Sequence, residues 1–183
     1  YSSYAYVVLS AVVQRAGDAP IPEQLERRII RPLRLTSFQL DVPADGQPHW
    51  TIGYQKNADG EIVAVDEYAH HWKHGAGGYK SNIVDFARWA QALLNAELLG
   101  PAAIREMWTV QPNAAGEPTQ YGLGFRLDGT GPDFRVSHGG SQDETKTRLV
   151  IYPNQGHGVV VLCNSNHADP ARISTAVYAA LRD

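Results

Sequence analysis

Apolar residues recur at helical spacing at the start of the chain. Ala5, Val8, Leu9, Val12 and Val13 share a face between Tyr4 and Arg15, and Gly17 stands where a helix would stop. Leu25, Ile29 and Ile30 repeat the pattern over Ile21–Ile30. This second helix is expected to end before Pro32, because the residue preceding a proline is driven out of the α region. From Leu33 to Gly75 periodicity fades among Pro43, Gly46, Pro48, Asn57, Gly60 and four histidines, and only Glu61–Val65 reads as a strand. That stretch predicts loops with one or two short strands. Beyond Gly75-Ala76-Gly77-Gly78, Ser81-Asn82 supplies an N-cap, and Ile83, Phe86, Ala87, Trp89, Ala90, Leu93 and Leu94 form a strong amphipathic stripe. Pro101 opens a shorter helix to Met107.

From Tyr121 the texture becomes β. The runs Tyr121–Leu127, Phe134–Ser137, Lys146–Tyr152 and Val159–Cys163 are separated by Asp-Gly, Gly-Pro and Pro-Asn turns. A last helical pattern covers Pro170–Leu181 with Asp169 as its cap. The order predicts an α+β fold, an antiparallel sheet covered by N- and C-terminal helices.

Composition narrows the function classes. The chain has 183 residues, enough for one domain or a large piece of one, and its formal net charge of −3 comes with scattered Lys and Arg. No basic stripe for nucleic acid is present. No apolar run reaches the length of a membrane span. The single cysteine, Cys163, lies in the apolar run Val159–Cys163, where a thiol is expected to pack as a small hydrophobe, and no internal disulfide can form. The opening Tyr1–Tyr6 has neither an initiator methionine nor the basic flank of a signal peptide, so an upstream segment is expected.

Two short segments carry candidate chemistry. Tyr1-Ser2-Ser3 stands directly ahead of a helix, and a tyrosine hydroxyl acts as a base only where its surroundings lower its pKa. Alone, it reads as an aromatic anchor. Ser137-His138-Gly139-Gly140-Ser141 ends a predicted strand, where a glycine pair allows close approach of a ligand and free N–H groups can hold an oxyanion. Taken alone, that pair reads first as a turn or bulge. His70 and His74 are four apart, but no glutamate lies between them and glycines follow, so a polar loop is expected there and no metal or cofactor. Asp128, Asp143 and Glu144 read as solvated turn charges, and Trp50, Trp72, Trp89 and Trp108 as packing residues.

In chain order the segments form a more specific pattern. Tyr1-Ser2-Ser3-Tyr4-Ala5-Tyr6, Arg31-Pro32-Leu33-Arg34-Leu35, Gly77-Gly78-Tyr79-Lys80-Ser81 with Asp85, Tyr121-Gly122-Leu123-Gly124-Phe125 and His138-Gly139-Gly140 resemble, over nearly the whole length, the C-terminal half of the penicillin-recognising serine hydrolases. These are the class C β-lactamases, D,D-carboxypeptidases, related esterases and mitochondrial β-lactamase-like proteins.

The resemblance implies roles. Tyr1 would shuttle protons to and from the nucleophile and leaving group. His138 would stand in for the lysine that polarises this tyrosine, and the Ser141 N–H would supply one oxyanion donor. Gly139, Gly140 and Ser3 would line the substrate, Ser3 replacing the usual asparagine with a shorter hydroxyl. His138, lacking a permanent charge, points toward esterase- or peptidase-like relatives.

The family's nucleophile motif, Ser-x-x-Lys, is absent: no serine in the chain has lysine three positions on, and no Gly-x-Ser-x-Gly elbow occurs. The chain is therefore expected to be the C-terminal portion, residues 1–183, of a single β-lactamase-like domain, inactive alone. Its expected partners are that upstream segment and a small-molecule or peptide substrate. The resemblance favours a periplasmic or extracytoplasmic location. The alternative is a non-catalytic relative that keeps the fold for binding or assembly. Faces covered by the missing part are expected to be exposed in the fragment.

Overall fold

The computed structural model describes residues 1–42, 50–65 and 70–182. The loop expected over 43–49 and 66–69 lies outside the described residues. Helix α1, Ser3–Gly17, begins as the pattern predicts, with the Ser2 hydroxyl accepting from the Ala5 N–H. It ends at Asp18 in the left-handed region. The buried Gln24 amide donates to the carbonyls of Val13 and Ala19, fastening the end of α1 to the next helix.

The second helical segment departs from expectation. It comprises α2, Ile21–Leu25, a π-turn over Glu26–Ile30, and α3, Arg31–Leu33, so helix continues through Pro32. Arg31 keeps α dihedrals, φ −66° and ψ −48°, although it precedes proline. The wider π-turn carries the ladder across: the Arg31 N–H reaches the Glu26 carbonyl and the Leu35 N–H the Ile30 carbonyl, both five residues back. A proline that lacks an N–H and crowds the carbonyl four residues back is tolerated where that register has already shifted.

Short strands follow: β1, Gln39–Leu40; β2, Tyr54–Lys56; β3, Ile62–Ala64; and β4, Tyr79–Lys80, with β1 paired to β4 and β2 to β3. Helix α4, Ile83–Leu94, is capped by the Asn82 side chain accepting from the Asp85 N–H, and α5, Pro101–Met107, matches its predicted bounds. The carboxylate of Asp85, 3 % exposed, accepts from the Ser37 N–H at 2.6 Å and the Ser37 hydroxyl at 2.7 Å. It ties the start of α4 to the segment after α3.

The main sheet is antiparallel in the order β5-β6-β7-β8: Arg126–Asp128, Arg135–Ser141, Lys146–Tyr152 and His157–Cys163. Two expectations change here. The run Tyr121–Leu127 becomes a strand only from Arg126, because Gly124 takes a φ of +87° and turns the chain. And β6 runs on through the glycine pair to Ser141 instead of turning at it, each of residues 136–141 facing a β7 partner.

Alternation along β6 sorts the sheet into two faces. Val136, Leu149 and Ile151 meet Ala90 and Leu93 of α4 and Ile104 of α5 in the larger core, together with Phe125 and Leu127. The opposite face is covered by α6, Pro170–Ala180, capped by the Asp169 carboxylate accepting from the Arg172 N–H. Tyr178 of α6 stacks on Tyr152 with ring centroids 3.8 Å apart. The sheet thus lies between α4 and the C-terminal helix. At the other end of the chain Tyr1, just ahead of α1, meets the sheet at His138. Cys163 is half-buried. Helix α1 buries none of its residues: Tyr4, Val8 and Val12, one turn apart, are all exposed, Val8 to 69 %. Among the described residues no helix is long and apolar enough to cross a membrane.

Candidate active site

Tyr1 stands just before the N-cap of α1, and its ring meets His138 at a centroid distance of 5.5 Å, edge to face. Residues 1 and 138 are far apart in the chain, yet the segment that enters α1 lies beside the middle of β6. Two more rings complete the corner, Tyr6 at 5.6 Å and Tyr121 at 5.8 Å from Tyr1, with Tyr121 6.2 Å from His138. Tyr6 follows Tyr1 by five residues, about one and a half turns. Tyr121 comes from the segment that Gly124 turns, and a methyl group on Gly124 would lie 3.9 Å from the Tyr6 hydroxyl. Sequence reasoning quoted both tyrosines within motifs but gave them no part in the site. Tyr1 itself is 76 % exposed, leaving its hydroxyl side open.

The corner is poor in charge. Burial, first of all, holds the His138 imidazole below the ordinary histidine range; the Arg148 guanidinium acts the same way, and the Gly139 backbone opposes both. Burial and the neighbouring guanidinium both favour the uncharged imidazole. Burial pushes the Tyr121 phenol well above its usual value, and the nearby Tyr6 and Tyr1 hydroxyls add to the rise, so Tyr121 stays protonated. Its hydroxyl is buried, with the Tyr6 hydroxyl near it but outside good hydrogen-bonding geometry.

The edge of β6 is the second element. Gln142 and Thr145 exchange backbone hydrogen bonds, at 2.8 and 3.4 Å, across the two-residue turn Asp143-Glu144. In an antiparallel ladder hydrogen-bonded and non-hydrogen-bonded pairs alternate. Counting back, Gly140↔Thr147 and His138↔Leu149 are bonded pairs, whereas Ser141↔Lys146 and Gly139↔Arg148 are not. The N–H and C=O groups of Gly139 and Ser141 therefore point away from β7, toward the side on which β5 lies. But β5 stops pairing at Ser137. The two N–H groups take no backbone partner among the described residues. Beside the tyrosine corner lies about 7 Å of open strand edge, the two residue steps from Gly139 to Ser141.

Gly140 has a structural duty as well. A Cβ there would stand 2.6 Å from the Thr147 hydroxyl directly across the ladder, while one on Gly139 would meet only ordinary contacts, the nearest 3.5 Å away. The Ser3 side chain is exposed at the first residue of α1 and touches none of these groups by hydrogen bond. A depression of about 510 Å³, lined by Gly139–Ser141 together with Lys146, Arg148, His167 and the start of α6, adjoins the same strand end. His70 and His74 lie in a turn-rich loop, and no cluster of potential metal ligands occurs among the described residues. Asp128 is ion-paired with Arg135 at 2.6 Å, and Asp143 is an exposed turn charge, but one Glu144 oxygen is buried without a partner.

A corner with one exposed phenol, a half-buried imidazole and adjoining unpaired main-chain donors can bind an extended carbonyl compound and move protons at one end of it. The family model described as Beta-lactamase matches residues 1–183. The chain belongs to the Beta-lactamase family.

Solved structures agree in fold. An octameric penicillin-binding protein homologue from Pyrococcus abyssi superposes with a TM-score of 0.85 at 21% identity, over 99% of this chain and 42% of that one. A D-stereospecific amidohydrolase from a Streptomyces species gives 0.77 at 23% identity, over 94% and 52%. Among curated proteins, the unguisins hydrolase ungD' of Aspergillus campestris is 28% identical, over 97% of this chain and 35% of its own length. Protein flp of Staphylococcus aureus is 20% identical, over 91% and 33%. The Beta-lactamase family chain thus spans about a third of the length of these curated relatives.

Proposed function

We propose that this chain forms one wall of the active site of an acyl-transferring serine hydrolase, and that it is the C-terminal portion of a single domain whose preceding segment carries Ser-x-x-Lys. The observation that carries the reading is the meeting of Tyr1 with His138 beside the open Gly139–Ser141 edge. In this reading the nucleophilic serine attacks a substrate carbonyl. The lysine of the upstream Ser-x-x-Lys takes the serine proton, while the Tyr1 hydroxyl gives its own proton to the leaving group and is reprotonated from that lysine. The Ser141 N–H and the nucleophile's own N–H hold the oxyanion. The Gly139 and Gly140 backbone lies along the acyl chain, and Ser3 faces its side chain.

Amides are the substrate class with most support, since two of the similar structures are amide-cleaving proteins by description, the D-stereospecific amidohydrolase and a D-amino acid amidase. Lactams and esters react by the same acyl-enzyme route. The second reading, a non-catalytic relative, draws on the exposed Ser3 hydroxyl, which makes no hydrogen bond among the described residues.

The test is acylation of the full-length polypeptide by a fluorescent penicillin or phosphonate, with Tyr1→Phe as the comparison. An enzyme is labelled at a serine upstream of Tyr1, and the variant loses turnover while keeping its fold. No labelling, or a Tyr1→Phe variant of unchanged turnover, refutes the proposal.

A further inference from the structure

The β6–β7 turn does not stand free. The Gln142 side chain, one residue past the open edge, spans to the loop before α4: its Oε1 accepts from Lys73 Nζ at 2.7 Å and its Nε2 donates to the Gly77 carbonyl at 3.2 Å. Both functions of one amide are used, by residues 69 and 65 positions away in the chain. The loop that receives them is compact in its own right, with the Lys73 carbonyl accepting from the Ala76 and Gly78 N–H groups. Gly75 of the same loop abuts the Ser10 hydroxyl and the Tyr6 carbonyl of α1, where any side chain would collide. A second contact braces the turn, Glu144 lying against Gly53.

These contacts form a closed path. It runs from Tyr1 along α1 to Tyr6 and Ser10, across Gly75 into the loop, through Lys73 and Gly77 to Gln142, and into Ser141. The path closes on itself through the Tyr1–His138 ring contact and the β6 backbone from His138 to Ser141, so the Gln142 contacts hold the far side of a ring whose near side is the aromatic corner. Gln142 also lies on the His138 face of β6, by alternation.

We infer that Gln142 is a positioning residue, which holds the Ser141 N–H at a fixed place relative to Tyr1 by clamping the β6–β7 turn to the loop 70–78. This inference rests on the serine-hydrolase reading above. Gln142 touches no reacting atom in it. Its contribution is geometric, and misplacement of such a donor by about 1 Å can cost on the order of a hundredfold in rate.

The experiment compares Gln142→Ala, Gln142→Glu and Lys73→Gln in the full-length polypeptide, reading the acylation rate at saturating fluorescent penicillin, its half-saturation concentration and the melting temperature. Gln142→Ala is expected to slow acylation about tenfold with half-saturation changed less than about twofold. Gln142→Glu keeps the Lys73 arm but turns a carboxylate on the Gly77 carbonyl, and is expected to fall between. The Lys73→Gln loss should not add to that of Gln142→Ala, since both break one clamp. Should Gln142→Ala fail to fold, the two single-arm variants carry the same comparison. Acylation at the unaltered rate in folded Gln142 variants overturns the inference. A natural protein that is not acylated at all overturns instead the reading on which it rests.

Discussion

The glycine pair of β6 gives the sharpest check on the site, because its two members have different neighbours. Placing a Cβ on Gly140 puts it 2.6 Å from the Thr147 hydroxyl, whereas real contacts of this type begin near 3.4 Å. Thr147 is β-branched and sits directly opposite in the ladder, so its χ1 has little freedom to clear the space, and its other branch would take the place of the hydroxyl. Gly140→Ala should therefore cost about 1–3 kcal/mol, the usual range for overpacking. For a domain of this size that is roughly 2–4 °C of melting temperature per kcal/mol. Gly139→Ala, whose nearest neighbour would be 3.5 Å away, should fall within about 0.5 kcal/mol of the natural protein apart from the general strand preference for a side chain. Removing the obstacle should restore what the methyl group costs, so Gly140→Ala combined with Thr147→Ala should be more stable than the two separate losses add up to. Urea denaturation of the full-length protein, in all four backgrounds, measures this. If Gly140→Ala and Gly139→Ala cost the same, or if Thr147→Ala brings no relief, the packing argument for the pair is wrong. The pair would then be there for ligand approach alone.

Three other outcomes are expected. Asp85→Ala removes the acceptor of both Ser37 donors in a buried site and should destabilise by about 2–4 kcal/mol, more than Ser37→Ala, as read by thermal melting. His138 is held below its unfolded value of about 6.5, so the unfolded chain binds the proton more readily. Stability should decline as pH falls below about 6.5 toward the folded pKa, and His138→Gln should remove that part of the decline; an identical pH profile in the variant refutes it. Tyr121→Phe takes away a buried hydroxyl whose Tyr6 neighbour lies outside good hydrogen-bonding geometry, and should change stability by less than about 1 kcal/mol, measured in urea.

Much of the fold was legible because local signals agreed with the tertiary outcome. Asn82 ahead of a strong apolar stripe gave α4, Pro101 gave α5, and the apolar run of β7 gave a strand with the observed bounds. The failures came where one residue's backbone outweighed the side-chain pattern. Tyr121, Leu123 and Phe125 alternate like a strand, but Gly124 at positive φ breaks it. Pro32 looked like a stop, but a π-turn had moved the ladder before it arrived. The glycine pair looked like a turn, whereas the opposing β7 residues pair with it and keep β6 extended. Within the candidate site, Tyr1, His138 and Ser141 could be chosen through their motifs. No local pattern, however, could have joined Gln142 to Lys73 or gathered Tyr6 and Tyr121 around Tyr1, since those contacts exist only once α1, the loop 70–78 and the sheet are assembled.

The two-residue turn Asp143-Glu144 works as a counter. Whether a given amide of β6 faces its neighbour or the groove depends only on how many residues separate it from that turn, so the turn's length encodes the polarity of the strand edge and its composition does not. Asp143, the exposed member of the turn, could be exchanged freely with the Ser141 N–H still facing outward, whereas Glu144 also braces the turn against Gly53. One added residue, with no change to Tyr1, His138 or Ser141, would turn the donor away from any substrate.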